Sequence, residues 1–375
     1  MSNHYQVCTR CVMDTSDKDI IFDDHGVCNH CHSYTERLAS RLYSEEDRDD
    51  KLKQLVTNIK SSGKNKEYDC IIGVSGGVDS TYVAYLTKKL GLRPLAIHFD
   101  NGWNSELAVS NIEKILNKLE IDLYTYVIDW EEFRDLQKSF LYASTTDGEI
   151  PTDHAINSLL FRQASKRNIK YIINGMNFAT ESISVKSWSY GHADWTYIKD
   201  VHKTFGKVKL RHFPFYNMSL LFYWTFVKRI KVISILNYID FKKEEVMEFI
   251  QKEFGWVYYG GKHYESVYTR FFQGYILPVK FGVDKRKGHL SDLIYSGQIT
   301  REEALEELKK EIYPPGLLSQ DMDFVKKKFS FSDQEFDKIM KSPVRSFREY
   351  KNIENKVIRL KKFVNYLRLK GLYSK

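Results

Sequence analysis

Between residues 68 and 255, short apolar runs alternate with stretches whose apolar residues recur at helical spacing. Cys70 to Val74 is an apolar run of strand length, and from Asp79 to Leu90 the apolar positions follow a helical period until Gly91 stops it. Arg93 to Asn101 predicts a second strand, Leu107 to Leu119 a helix and Leu123 to Ile128 a third strand. A helix from Asp153 to about Lys166 leads into a fourth strand, Lys170 to Gly175. Val232 to Ile239 predicts a fifth, followed by a helix to about Phe254. Alternation at these lengths predicts an α/β fold with a doubly wound parallel sheet.

The flanks read differently. Residues 1–35 form a cysteine-bearing segment and 36–66 a charged helical linker with a sparse apolar face at Leu38, Leu42, Leu52, Leu55 and Ile59. The α/β region fills 67–255. Residues 256–375 read as mostly helical, with a capping-box start at Thr300 to Glu303 and a basic tail from Arg359 to Lys375. A length of 375 residues implies two or three such units rather than one core. A formal net charge of +8 calls for an anionic partner (nucleotide, sugar nucleotide or RNA) or a solvated basic surface. The N-terminus has no apolar targeting run. The most apolar window, Met218 to Ile239, is interrupted by Lys228-Arg229-Ile230-Lys231, so neither half spans a bilayer. These readings together predict a cytoplasmic protein.

Four of the five cysteines are paired: Cys8 with Cys11, then Cys28 with Cys31 after sixteen residues. This spacing predicts a zinc ribbon in which four thiolates hold one tetrahedral Zn²⁺. An iron–sulfur cluster is the alternative, and His30 or His32 could replace a cysteine. Four thiolates leave no open position, so the metal is expected to be structural.

The richest stretch is Gly73-Val74-Ser75-Gly76-Gly77-Val78-Asp79-Ser80, a strand, a tight glycine turn and a helix start. Such a turn aims backbone N–H groups at one point and favours a phosphate. Ser75 and Ser80 add hydroxyls, and Asp79 beside phosphates calls for Mg²⁺. No Gly-Lys-Ser/Thr follows, so this is not a Walker loop. It resembles the PP-loop of ATP pyrophosphatases, which cleave ATP between the α- and β-phosphates. His98, Asp100 and Asn101 end the second strand, where a sheet of this kind binds ligand, and are expected to seat adenosine. After the fourth strand, Gly175 and Asn177 are expected at the nucleotide and Glu181 beside the Mg²⁺. Ala179 and Thr180 stand where relatives often carry carboxylates. Glu181 reads equally as a cap or ion-pair partner of the next element.

Two later stretches are dense in ligand-positioning groups: Gly260 to Arg270 and Phe281 to His289. Taken with the cysteine pairs, the PP-loop from Ser75 to Ser80, His98 to Gly102 and the continuation of the second stretch to Ala304, they make the chain resemble the N-acetyl sugar amidotransferase family. The resemblance implies ATP-dependent conversion of an acetamido group on a nucleotide-linked sugar to an acetamidino group, for bacterial surface polysaccharide. It implies ATP, Mg²⁺ and Zn²⁺ as cofactors, and a glutaminase subunit and an ammonia-channel-like subunit as partners. Asp79, Glu181, Lys262 and His263 are the expected catalytic groups. Glu265, Arg270, Asp284, Lys285, Arg286 and His289 are the expected substrate contacts. The residues also point to an outside ammonia source: Ser2 is not a nucleophilic cysteine, and Cys70, the one unpaired cysteine, lies in a predicted strand. Two readings compete. One is a tRNA thiolation enzyme, with RNA on the basic tail and Cys70 as its sulfur nucleophile. The other is a nucleotide- and zinc-binding scaffold without catalysis.

Overall fold

The computed structural model describes residues 5–369; residues 370–375 of the basic tail lie outside them. Five strands, β1 (Cys70–Gly73), β2 (Pro94–Asp100), β3 (Leu123–Val127), β4 (Tyr171–Asn174) and β5 (Lys231–Ser234), form one sheet in the order β3-β2-β1-β4-β5. Every pairing is parallel, with Ile71 opposite both Leu95 and Ile172. The order reverses between β1 and β4, which opens a crevice at the carboxyl ends of those strands.

Side-chain alternation along β1 and β4 sorts the core onto two faces. Ile72 and Ile173 pack with α2 (Glu45–Ser62), α3 (Val78–Lys89), α4 (Glu106–Leu119) and α9 (Lys243–Phe254). Ile71 and Ile172 pack with α5 (Trp130–Ala143), α6 (Ile150–Lys166) and α7 (Trp195–Phe205) on the other face. That second core continues without a break into the cysteine segment and the C-terminal helices, through Phe271, Phe329 and Phe336.

The expected elements from 68 to 175 are present. The fifth strand is shorter than its apolar run: Ile235–Tyr238 turns as a 3₁₀ helix, and Ile235 and Leu236 bury against α3 and α9. Tertiary burial, not strand pairing, uses those residues. Helix α5 was not anticipated; Asp129 caps it by accepting from Glu132 N. The linker is two helices, α1 (Asn29–Arg41) and α2, and of its expected apolar face only Leu55 and Ile59 are buried.

The cysteine segment docks at the side of the crevice. Cys28 caps α1, which carries Cys31. The Sγ atoms of Cys8 and Cys31, Cys11 and Cys28, and Cys28 and Cys31 are each 3.7 Å apart. Four thiolates at about 2.3 Å from one ion stand at nearly that separation in a tetrahedron, so the donor set fits Zn²⁺. Backbone N–H groups of Arg10 and Cys28 donate to Cys8 Sγ at 3.4 and 3.2 Å, which favours the thiolate.

After β4 the chain passes through α7 and then α8 (Met218–Phe222), which continues as a π-helical turn over Tyr223–Val227 into β5. Beyond α9 it forms α10 (Val267–Phe271), α11 (Leu277–Phe281), α12 (Arg286–Tyr295) and α13 (Arg301–Lys309), the last with the expected capping box. Helices α14 (Pro315–Phe329), α15 (Asp333–Lys341) and α16 (Glu354–Leu369) complete the fold. No helix among the described residues is long and apolar enough to cross a membrane.

Candidate active site

The glycine turn joins β1 to α3 and is shaped by close backbone approach. Gly76 has φ +80°, and a Cβ there would lie 2.4 Å from the Ala108 carbonyl oxygen of α4. Gly175, at the end of β4, sits against the first turn of α3: its Cβ would meet Asp79 Cβ at 3.0 Å. The loop is held from within. Ser75 Oγ accepts from Gly77 N at 3.3 Å, and Ser80 Oγ donates to Gly77 O at 3.2 Å. The free N–H groups of the first turn of α3 therefore face the crevice as an anion cradle. Gly76→Ala is expected to abolish saturable nucleotide binding in equilibrium dialysis, because backbone rather than a movable side chain blocks the methyl group.

The crevice has a volume of about 1610 Å³, with Ser75, Gly77, Asp79 and Ser80 on its floor and C-terminal residues on its wall. The wall is brought there by chain pairing: Glu265 O accepts from Ser105 N at 2.8 Å and Trp103 O accepts from Val267 N at 2.8 Å. Lys262 Nζ is 3.3 Å from Glu181 Oε1 and 3.3 Å from His289 Nδ1. His289 is held well below its ordinary pKa by burial and by Lys262, so its ring is neutral and Nδ1 can accept from the ammonium. His263 has φ +64° and places Nδ1 3.7 Å from Glu265 Oε1.

Asp79 Oδ1 and Glu265 Oε2 are each buried without a hydrogen-bond partner. Burial, reinforced by Glu181, pushes the Asp79 carboxyl up to about 6, while Lys262, Lys243 and His263 act in the opposite sense. Glu265 is held below the usual range; burial opposes this, and the neighbouring His263 and Tyr259 outweigh it. Orphaned carboxylate oxygens beside a phosphate cradle are what a hard cation requires, so the residues present fit Mg²⁺.

Lys243 and Tyr259 belong to this site and were not singled out from the sequence. Lys243, at the start of α9, is held below its ordinary pKa by burial and by Lys262, against the pull of Asp79, Glu181 and Glu265. Its position after the last strand, at the carboxyl end of the sheet, was the available signal. Tyr259 Oη lies 3.3 Å from where a Gly77 Cβ would be.

Other expected groups are engaged by neighbours within the fold. His98, Asp100 and Asn101 end β2 but do not line the crevice. His98 Nδ1 is 3.1 Å from Val74 O and its Nε2 3.1 Å from Asn104 Nδ2. Asp100 and Asn101 accept from Gly102 N and Trp103 N and fold the turn. Asn177 shapes the 177–180 turn, its Oδ1 accepting from Thr180 N at 2.8 Å, and is likewise off the wall. Arg270 and Arg286 line the crevice, but their forks are taken. Arg270 is bidentate to Asp321, and Arg286 to Asp284 and to carbonyls at the end of α13. Lys285 pairs with Glu149 at 3.3 Å.

Asp292 of α12 fixes the loop after β4, accepting from Ile183 N at 3.1 Å and from Ser182 Oγ. Burial pushes it up to about 6. The folded state therefore holds a proton that the unfolded state releases near pH 4, and this contribution to stability is lost as pH rises through about 6. Asp292→Asn is expected to reduce the fall in thermal midpoint between pH 5 and pH 7.

Residues 265–367 match the family described as LPS biosynthesis protein WbpG-like, C-terminal domain. Residues 69–193 match queuosine biosynthesis protein QueC, a PP-loop family. Residues 69–193 are similar to a PP-loop family and residues 265–367 to the WbpG-like C-terminal domain. The resemblance drawn from the glycine turn and the C-terminal stretches is thus borne out. Among curated proteins, the chain is similar to a glutamine-hydrolyzing GMP synthase of Dictyostelium discoideum, 36% identical over 101 residues, 26% of this chain and 12% of that protein. It is also similar to a tRNA(Ile)-lysidine synthase of Chlamydia pneumoniae, 33% identical over 96 residues, 25% of this chain and 29% of that protein. The chain therefore matches less than a third of either relative's length. Solved structures similar to it include an NMN synthetase from Francisella tularensis (18% identity, TM-score 0.29, 61% of this chain and 93% of that one). An NH3-dependent NAD synthetase from Campylobacter jejuni is another (14% identity, TM-score 0.29, 80% and 99%).

Proposed function

We propose that the protein is an ATP-dependent, AMP-forming amidotransferase that converts the N-acetyl group of a nucleotide-linked sugar to an acetamidino group. The observation that carries this is the joining of two machineries in one crevice. A phosphate cradle with an unpartnered acid, Asp79, shares the crevice with Lys262 and His263 and, from the WbpG-like stretch, with Glu265 and His289.

An acetamido carbon is a poor electrophile. Attack of its oxygen on the α-phosphorus of ATP forms an O–P bond and releases pyrophosphate, leaving an adenylated imidate. Ammonia adds to the carbon, AMP departs with the oxygen, and a proton is lost. Ser75, Gly77, Ser80 and the first turn of α3 would hold the departing pyrophosphate. Asp79 and Glu265 would hold Mg²⁺, which neutralises charge building on the phosphates. Lys262, set between Glu181 and neutral His289, would orient the acceptor and pass the proton on. Ammonia would come from a separate glutaminase through an ammonia-channel-like subunit.

Cys70 bears on the thiolation alternative. It is fully buried in β1, and burial pushes its thiol far up, which disfavours a thiolate nucleophile. The remaining four cysteines gather at the metal site. The deciding assay measures AMP and pyrophosphate release from Mg-ATP and ammonium with a panel of UDP- and CMP-linked N-acetyl sugars and with bulk tRNA. Release with one sugar nucleotide, with NH replacing O in the product, is expected. Release with tRNA alone would overturn the reading, and release with neither would leave a scaffold.

A further inference from the structure

The first half of the apolar window interrupted by lysine and arginine, Met218 to Val227, has no part in the crevice. Helix α8 and the π-helical turn after it are anchored from beneath by Trp224, whose ring stacks on Phe161 of α6 at 5.3 Å. The outer side is bare: Phe222 and Phe226 are each 59% exposed and Val227 61%, with Met218 and Tyr223 beside them. The two phenyl rings lie against each other at 4.8 Å. Large apolar groups clustered this way on a surface call for an occupant.

The sequence around them is basic: Lys228, Arg229 and Lys231 directly follow the apolar segment, while the more distant bases of residues 203–211 lie in a stretch that also meets Asp129, Glu132 and Asp135 of α5 and its cap. From Val201 to Ile239 the chain has no Asp or Glu and seven Lys or Arg: Lys203, Lys207, Lys209, Arg211, Lys228, Arg229 and Lys231. None of the seven is in an ion pair among the described residues. Lys228 and Arg229 gather with Lys66 around Lys170, whose amine is held below its ordinary pKa by burial and by these neighbours. A second copy presenting the same patch across a two-fold axis would set like charges face to face, which argues against a homodimer here. RNA would satisfy the bases but leaves Met218 and Val227 without stacking partners. A bilayer rich in anionic headgroups satisfies both features: aromatic and aliphatic groups enter the interface while lysine and arginine meet phosphates.

We propose that the Met218–Val227 segment and the flanking bases dock the protein peripherally on an anionic membrane surface. The segment feeds β5 at the end of the sheet opposite the crevice, so docking leaves the crevice open to solvent. The inference is independent of the sugar reading.

The test is co-sedimentation of the full chain with vesicles of phosphatidylglycerol and phosphatidylethanolamine, compared with phosphatidylcholine. Partitioning onto the anionic vesicles should be at least tenfold stronger and should weaken with salt. The double variants Phe222→Ser/Phe226→Ser and Lys228→Glu/Arg229→Glu should each lose about tenfold, with nucleotide binding unchanged. A Phe226→Trp variant gives a second readout that does not depend on those variants folding: its emission should shift to the blue on anionic vesicles. Equal binding to both vesicle types, unaltered binding by the variants, or no blue shift would overturn the proposal. So would a wild-type dimer that Phe222→Ser/Phe226→Ser converts to monomer, or vesicle binding that RNA displaces from wild type and Ser variant alike.

Discussion

Asp79→Asn is expected to lower substrate-dependent AMP formation by about a hundredfold to a thousandfold, the range seen when one group that stabilises transition-state charge is removed. The protein should lose no stability. Asp79 sits where burial and Glu181 raise its pKa to about 6, so at pH 7 the metal-free fold carries its charge at a cost that the unfolded chain does not bear. A neutral isostere removes that cost, and the variant's thermal midpoint at pH 7 should equal or exceed the wild type's. The sign can be checked with pH. Mg²⁺ must displace a proton from Asp79 below about 6, so magnesium-dependent nucleotide affinity should fall in the wild type between pH 7 and pH 5. The variant, already weak, should show little of this fall. Calorimetric titration of Mg-ATP at both pH values measures it. A variant that keeps wild-type turnover would remove Asp79 from the chemistry.

The second large effect is expected from the cysteine site. Apparent zinc-binding free energies in small structural sites run to about 10–16 kcal/mol, as large as the stability of a whole domain. Cys28→Ser, or a strong chelator, should therefore unfold the segment in a separate early transition. The loss should also reach the crevice, because the segment braces the wall helices. Arg301 Nη2 donates to Cys8 O at 2.9 Å and Val12 N donates to Ser291 Oγ at 3.2 Å. Cys31 Sγ lies 3.4 Å from the Tyr295 hydroxyl of α12, the helix that carries His289 and Asp292. The glycine turn rests on β1, α3 and α4 instead. KM for the sugar acceptor should thus rise more than KM for ATP. Equal changes in both would show that the segment supports the fold at large and not the wall.

The cradle was legible in the chain because its cause is local. Gly76 needs a positive φ, Asp79 and Ser80 open a helix, and Cys70 to Gly73 is an apolar strand, all within eleven residues. The tetrahedral cysteine set was legible for the same reason: two close pairs fix their own geometry. At the end of β2, His98, Asp100 and Asn101 compete at short range for backbone groups, and the turn they make engages them. Arg270 meets a partner that spacing cannot show, Asp321 on α14, whereas the carboxylate that takes Arg286, Asp284, stands two residues before it. Lys243 is marked in the chain only by its place after the last strand, and Tyr259 by nothing local. They become site residues only when α9 and the chain after it pack over the glycine turn.

The sequence by itself determined the parallel α/β order, the glycine turn and the clustered cysteines, because each follows from hydrophobic period, backbone freedom or donor spacing over short distances. The tertiary structure alone decided which charges face one another. Lys262, Glu181 and His289 come from three distant parts of the chain, and only the reversal of strand order and the docking of the C-terminal helices bring them within 3.3 Å contacts. Such juxtapositions depend on summed burial across the whole core, to which no single stretch of residues holds the key.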